Sequence, residues 1–252
     1  MIMSYCLHHV ANATEKQVAA SGASVEVLST LALRGVLTEA ADDFRARHRL
    51  AIAATYTSTN AALSLIGDGT RADVAILTHE AMERLVGEGV IIADSTADIA
   101  RSGIGIAVPA DAPKPDISTV TAFKRALLEA KAVAFSRSGA SGMYFAEVIE
   151  RLGIAEEVRR KAKVIDTYVG EFAARHEVEL AVQQVSELMS VSGIDIVGPL
   201  PAELQKITVF AAGVFAEARD AAGAAELIAY LAAPALAPVL IRKGLEPVTS
   251  AQ

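Results

Sequence analysis

Short apolar runs alternate with amphipathic segments along most of this chain, and that alternation most restricts what it can fold into. VEVLST at residues 25–30, IAATYT at 52–57 and DVAILT at 73–78 read as buried strands. Each is followed by a segment whose apolar side chains recur at helical spacing. In the first such segment, residues 33–47, Leu33, Val36, Leu37, Ala40, Ala41 and Phe44 share one face. The second helix runs through Leu63 and Ile66, and the third covers residues 80–86. Strands joined by helices in such short steps demand a mainly parallel sheet flanked by helices on both faces. The fold class is α/β.

Proline interrupts the pattern twice. SGIGIAVP at 102–109 reads as a strand that runs into Pro109-Ala110-Asp111-Ala112-Pro113-Lys114-Pro115, the clearest break in composition and a crossing between lobes. Beyond it the alternation resumes, with helices at 120–130, 143–152 and 170–176 and strands at 132–135, 164–167 and 180–185. DIVGPLPAEL at 195–204 marks a second crossing. ITVFAAGVFA at 207–216 reads as a long strand, and apolar helices at 221–232 and 235–242 follow. Two separated crossings imply two lobes, the middle one inserted in the outer. Residues 24–103 and 205–252 form the first lobe, 104–204 the second, and 1–23 a loosely ordered N-terminal segment. Hinge motion is expected at about 103–109 and 195–201.

Composition narrows the partners. A chain with 52% hydrophobic and 21% charged residues folds rather than staying disordered. Its net charge of −7 argues against nucleic acid or an anionic membrane as a general partner, and leaves room for a small anionic ligand. The single cysteine, Cys6, allows no internal disulfide and no thiolate metal site. His8, His9, His48, His79 and His176 show no H-x-x-x-H pairing, so neither a metal nor another cofactor is expected. The longest apolar region, 227–241, is broken by Pro234 and Pro238, so no membrane insertion is expected. The first residues hold His8, His9, Asn12, Glu15 and Lys16 where a signal peptide needs an apolar stretch. GDG at 67–69 and GIG at 103–105 lack the third glycine of a dinucleotide fingerprint. Gly139-Ala140-Ser141-Gly142 has Met143 where a nucleophile elbow needs glycine.

What remains is a set of polar turns at the carboxyl ends of the expected strands, where open α/β sheets bind ligands. The first end supplies Ser29 and Thr30, with Arg34 close behind; the second supplies Thr57, Ser58, Thr59 and Asn60. The third supplies Thr78 and His79, and the late strand supplies Gln183, Gln184 and Ser186. The most suggestive is AVAFSRSGASGMYFAEVIERLG at 132–153, a strand, a small-residue turn with Ser136, Arg137, Ser138 and Ser141, and a helix. Unpaired N–H groups and the positive end of the helix dipole make such a turn ready for an anion. Helix capping alone accounts for serine, threonine or asparagine at any one turn. Four such turns, two with a nearby arginine, point to a ligand.

The order of segments over residues 25–248 resembles the molybdate-binding proteins of bacterial ABC importers, within the type II periplasmic-binding-protein fold. The resemblance is carried by residues 27–37, Tyr56-Thr57-Ser58-Thr59-Asn60, Ala72-Asp73-Val74, Ala140-Ser141-Gly142-Met143-Tyr144, and the closing Tyr230-Leu231 and Gly244-Leu245. It implies an oxyanion in an interlobe cleft, an importer membrane component as partner and a periplasmic location. The missing export pattern leaves a cytoplasmic location as the alternative. The chain departs from that family in three places. Ala32 stands where a ligand serine follows the first strand, Gln183-Gln184 stand in place of a ligand tyrosine, and Arg34 and Arg137 are added. A guanidinium fork matches a planar carboxylate, each charge-assisted bond giving roughly 1.5–3 kcal/mol.

The expectation is therefore a solute-binding protein for a di- or tricarboxylate, with a molybdate- or tungstate-type oxyanion as an alternative. The expected ligand set is Ser29, Thr30, Arg34, Ser58, Thr59, Asn60, Arg137, Ser138, Ser141, Gln183 and Gln184. Bacterial aconitate isomerase resembles members of the same family, so an isomerase acting on a polycarboxylate by proton shift is the runner-up. His79 and Glu171 are then the candidates for proton transfer. A cytoplasmic ligand-sensing domain is the third reading.

Overall fold

The computed structural model describes residues 15–16 and 23–248. It begins with β1 (Glu15–Lys16), β2 (Ser24–Thr30), α1 (Arg34–His48), β3 (Ala51–Thr57), α2 (Thr59–Gly67), β4 (Val74–Thr78), α3 (His79–Gly87) and β5 (Ala97–Ser102). The chain then changes sheets at Gly103. There follow β6 (Ile104–Pro109), α4 (Val120–Glu129), β7 (Val133–Ser136), α5 (Ala140–Arg151) and α6 (Ala155–Arg160). After these come β8 (Ala162–Ile165), α7 (Gly170–Ala174), β9 (Leu180–Gln184), α8 (Val185–Leu188) and β10 (Ile194–Pro199). A return through residues 200–207 leads to β11 (Thr208–Val214), α9 (Ala221–Ala232), α10 (Ala237–Arg242) and β12 (Glu246–Pro247).

One sheet has seven strands in the order β1-β3-β2-β4-β11-β5-β12, and the other has five in the order β10-β6-β9-β7-β8. Each is flanked by helices, and two passages join them. Parallel pairing holds where a helix connects neighbours: β2 with β3 and β4, and β7 with β8 and β9. Strands that enter or leave a crossing (β5, β6, β10 and β11) pair antiparallel, since no βα crossover fixes their direction.

Several expected boundaries shift. Residues 102–109 do not form one strand but the end of β5 and all of β6, in different sheets. The sequence hid β5 because Asp98 is exposed and Arg101 only half-buried along it, leaving no clean apolar run. The run from Pro109 to Pro115 is not the crossing. Pro109 pairs with Ile194, and the Ala110 amide donates to the Gly193 carbonyl at 3.0 Å, so this run begins against β10 of the second lobe. Much of the second expected crossing is β10 itself. In the N-terminal segment, Glu15 and Lys16 pair with Tyr56 and Thr55 at the sheet edge. The rest of that segment, with Cys6, His8 and His9, lies outside the described residues.

Each lobe has its own core. Val27, Leu37, Phe44, Ile76, Phe210 and Leu227 pack in the first; Ile106, Phe123, Phe135, Phe145, Val148 and Val182 pack in the second. Among the described residues no single helix is long and apolar enough to cross a membrane. Residues 221–242 bend by 59° and bury Leu227, Leu231, Leu236 and Leu240 in the first core.

The apolar face of α5 seats its N-terminus over the end of β7. Phe145 meets Phe135 edge-on with ring centroids 5.1 Å apart, and Val148 and Ile149 are fully buried. The approach is so close that a Cβ at Gly142 would sit 1.8 Å from the Ser136 carbonyl oxygen. Gly142→Ala is expected to lower the unfolding free energy by ~2 kcal/mol or more, read from urea denaturation. An unchanged midpoint would contradict this packing.

Candidate functional site

Polar turns at three strand ends become helix N-termini that meet between the lobes. Ser58 caps α2 and accepts from the Ala61 amide at 3.2 Å; Thr78 caps α3 and accepts from the Ala81 amide at 3.4 Å. Gly139 caps α5 with no side-chain bond, so Ala140 and Ser141 present first-turn amides that the helix itself does not use. These turns surround an interlobe cavity of about 250 Å³. Thr59, Asn60 and Thr78 line it from one lobe, Ser138, Ala140 and Met143 from the other, with Lys206 of the second passage and Thr208 at the start of β11. Glu80, Glu147 and Lys206 at its rim are exposed, so solvent screens their charges. The buried wall is neutral and rich in donors, and the dipoles of α2, α3 and α5 favour negative charge there.

The lobes are in contact across this cleft. Ser138 donates through both its amide and its hydroxyl to Asp166 Oδ1, at 2.8 and 2.7 Å. With that proton committed, the 2.7 Å bond between Ser58 Oγ and Ser138 Oγ must have Ser58 as donor. Asn60 Nδ2 donates to Met143 Sδ at 2.8 Å, and the Tyr168 hydroxyl donates to the Leu31 carbonyl at 3.2 Å. The small-residue turn is thus not bare: Asp166 takes two of its donors, and the Gly139 amide donates to Ser136 Oγ at 2.8 Å.

At the lobe boundary, two buried hydroxyls lack partners. Thr30 is 4% and Ser186 2% exposed, and neither Thr30 Oγ1 nor Ser186 Oγ has a hydrogen bond. Ser186 rides on α8, which packs against the 3-10 turn Leu31–Leu33 that follows Thr30. Buried Ser29 donates to the Thr30 carbonyl at 3.0 Å. Gln183 accepts from the Val169 amide at 2.9 Å and donates to the Thr167 carbonyl at 3.1 Å, so its amide braces the segment carrying Tyr168. Gln184 is equally buried and is bound to both passages between the lobes. One turn further, loss of hydration pushes the Glu187 carboxyl up to about 7, against hydrogen bonds from the Gln184 backbone and the Gln183 side chain.

The remaining expected residues lie apart from the 250 Å³ cavity. Ser141, 1% exposed, sits in the first turn of α5. Arg34 opens α1, and its guanidinium lies 5.6 Å from the Tyr168 ring centroid, across the lobe boundary. With Tyr168, Glu171 and Arg175 it lines a shallow cavity of about 280 Å³. Arg137 is exposed and donates to the Val164 carbonyl of neighbouring β8 at 3.1 Å, and it does not line the interlobe cavity. Glu171 is exposed and 3.7 Å from Arg175. His79 has Nδ1 2.6 Å from Asp98 and Nε2 3.4 Å from Glu83, and borders a separate cavity of about 510 Å³ in the first lobe. The sequence reading missed Asp166, Tyr168, Glu187 and Lys206; only Asp166 had a signal, as a polar residue closing an expected strand.

The family model for bacterial extracellular solute-binding proteins matches residues 25–246. The chain belongs to this family. Aconitate isomerase from a Pseudomonas species is 39% identical over 179 residues, 70% of this chain and 68% of that protein. The periplasmic molybdate-binding protein of Azotobacter vinelandii superposes with a TM-score of 0.76 at 16% identity, covering 89% of this chain and 100% of that one. The substrate-binding domain of a putative molybdenum ABC transporter from Clostridium difficile gives 0.67 at 13% identity, covering 90% and 100%. At those identities the structural likeness shows the fold, the two-lobed type II periplasmic-binding-protein fold.

The bond to Asp98 raises the His79 pKa above its ordinary 6.5. A raised folded value means that the pair's stabilisation is full below about 6.5 and lost as pH rises through the folded pKa. Asp98→Asn should therefore cost more stability at pH 5.5 than at pH 9, and proton NMR should show His79 titrating lower in the variant. Identical His79 midpoints in the two proteins would contradict the pairing.

Proposed function

We propose that the interlobe cleft closes on a small organic polycarboxylate of the aconitate type and interconverts its isomers by shifting a proton. One observation carries this reading: a chain 39% identical to an aconitate isomerase brings helix N-termini and buried neutral donors together between two closed lobes. Ser58, Thr59, Asn60, Ser138, the first-turn amide of Ser141 and the Thr30 hydroxyl are the groups we assign to the carboxylates. Lys206 takes the part that sequence gave to Arg137, as the cation beside the cavity. A 1,3-proton shift needs a proton acceptor and donors that hold the charge spreading onto the substrate carboxylates.

The second reading is a receptor that binds the same acid without turnover and delivers it to an importer's membrane component. The family match over residues 25–246 and the transporter-domain neighbour support it.

Two measurements separate these readings. In a thermal-shift screen, trans-aconitate or citrate at a hundred times its dissociation constant should stabilise the chain by about 2.7 kcal/mol. Stabilisation by molybdate or tungstate alone would overturn the polycarboxylate assignment. Proton NMR of cis-aconitate in deuterated buffer should show loss of the methylene signal and growth of the trans isomer. Binding without conversion to the trans isomer would leave the receptor reading.

A further inference from the structure

Glu39, Asp43 and Glu177 have carboxyls drawn down first by hydrogen bonds from arginines, to Arg242, Arg47 and Arg175 respectively. Glu187 has a different setting. Its neighbours on α8, Ser186 and Leu188, are 2% and 0% exposed, while its own side chain is partly open. It is therefore open to approach where its neighbours are packed. The end of β9 packs on α8, and its last residues, Gln183 and Gln184, donate to the Glu187 carboxylate from side chain and backbone. Beside it is the unpartnered Ser186 hydroxyl, and the 3-10 turn following the unpartnered Thr30 packs onto the same short helix. A partly open carboxylate steered by amides, next in the chain to one unpartnered buried hydroxyl and on a helix that packs against the turn following a second, and placed at a strand's carboxyl end, is arranged for a ligand rather than for packing.

We propose that Glu187 is the catalytic residue that takes the proton from the substrate's methylene carbon and returns it at the far end of the double bond. This rests on the isomerase reading above. In the first half, the methylene proton passes to a Glu187 carboxylate oxygen and the C–H electron pair becomes the new bond to the central carbon. The former double-bond pair moves outward into the adjoining carboxylate. In the second half, that pair takes the proton back from Glu187 on the other terminal carbon. One proton is lost and one regained, with no oxidant or reductant. The Thr30 and Ser186 hydroxyls, each with a hydrogen to give, hold the carboxylate on which charge accumulates.

His79 and Glu171, the candidates from sequence, fit this role less well. His79 is engaged by Asp98 and Glu83 beside a different cavity, and Glu171 is exposed next to Arg175. Burial raises the Glu187 carboxyl to about 7, where a group can both accept and release a proton at neutral pH. Among the elements packed on α8, β6, β9, β10 and the turn Leu31–Leu33 carry one ionisable side chain, Asp195 on β10, and the turn at Gly244, close to Val185 and Ser186, carries Lys243, which pairs with Glu39 at 2.8 Å.

The test follows conversion of cis- to trans-aconitate by proton NMR with the full chain, alongside thermal-shift titration with trans-aconitate. Glu187→Gln should bind trans-aconitate within about fivefold of the parent and lose isomerisation by roughly 100- to 10,000-fold, the usual worth of general acid–base catalysis. Glu187→Asp should keep KM within a few-fold and lower kcat. For the parent chain, kcat/KM should rise with pH and level off above about 7, and Asp195→Asn and His79→Gln should keep that profile. Isomerisation by Glu187→Gln at the parent rate overturns the assignment. Should that variant fail to fold, an unchanged kcat in Glu187→Asp, or a profile that moves with His79→Gln, overturns it instead. A parent chain that binds aconitate without isomerising it removes the isomerase reading, and this assignment with it.

Discussion

Both passages between the lobes are fastened to one buried amide. Gln184, the last residue of β9, has its nitrogen toward the carbonyls of Gly103 and Ser102, at 3.0 and 3.1 Å, and its oxygen toward Thr208 Oγ1 at 2.8 Å. That is the orientation in which both ends of the amide are satisfied. Leaving such a group unpaired while buried costs about 1–3 kcal/mol, so the strand end and both passages hold one position together. Gln205 reinforces the arrangement, accepting from the Ile104 amide and donating to its carbonyl, both at 2.9 Å. The cleft inherits its geometry from this point. Gln183, one residue back, braces residues 167–169 and with them Tyr168; α8, starting one residue on, carries Ser186 and Glu187.

Polar contacts across the cleft include a serine pair, an amide to a thioether and a tyrosine to a carbonyl, and the Arg34 guanidinium lies over Tyr168, whose ring is buried in the core of the first lobe. Each hydrogen bond contributes about 0.5–1.5 kcal/mol net, and a ligand favours closure only by binding the closed arrangement better than the open one. On the proposed reading, a ligand entering between Ser58 and Ser138 replaces their mutual bond with its own. The chain Asp166–Ser138–Ser58–Ala61 fixes which hydroxyl points where before that exchange occurs. Exposed rim charges contribute less, because water and salt screen them.

The fold was largely legible because its signal is periodic. Buried strands such as Val74–Thr78 and the apolar face of α5 are written in runs and spacings that one pass along the chain recovers. β5 was not, because its pattern mixes exposed and buried positions, and α8 is too short to have a period. At the site, the hydroxyl turns at Ser58 and Ser138 were visible as strand-end polar clusters, and the structure joins them. Arg137 was not predictable in direction: a long side chain at a turn can reach a neighbouring carbonyl as easily as a cleft, and here it bonds Val164. Glu187 left no mark in the sequence, since its character comes from the burial and the glutamine amides around it.

A co-crystal structure with trans-aconitate tests the central claim most directly. The account predicts the acid between the lobes, with carboxylate oxygens within hydrogen-bond distance of Thr30 Oγ1, Ser186 Oγ and the Ser58–Ser138 turns. A molecule seated instead in the His79–Asp98 cavity of the first lobe, or a cleft that stays empty at saturating acid, would contradict it.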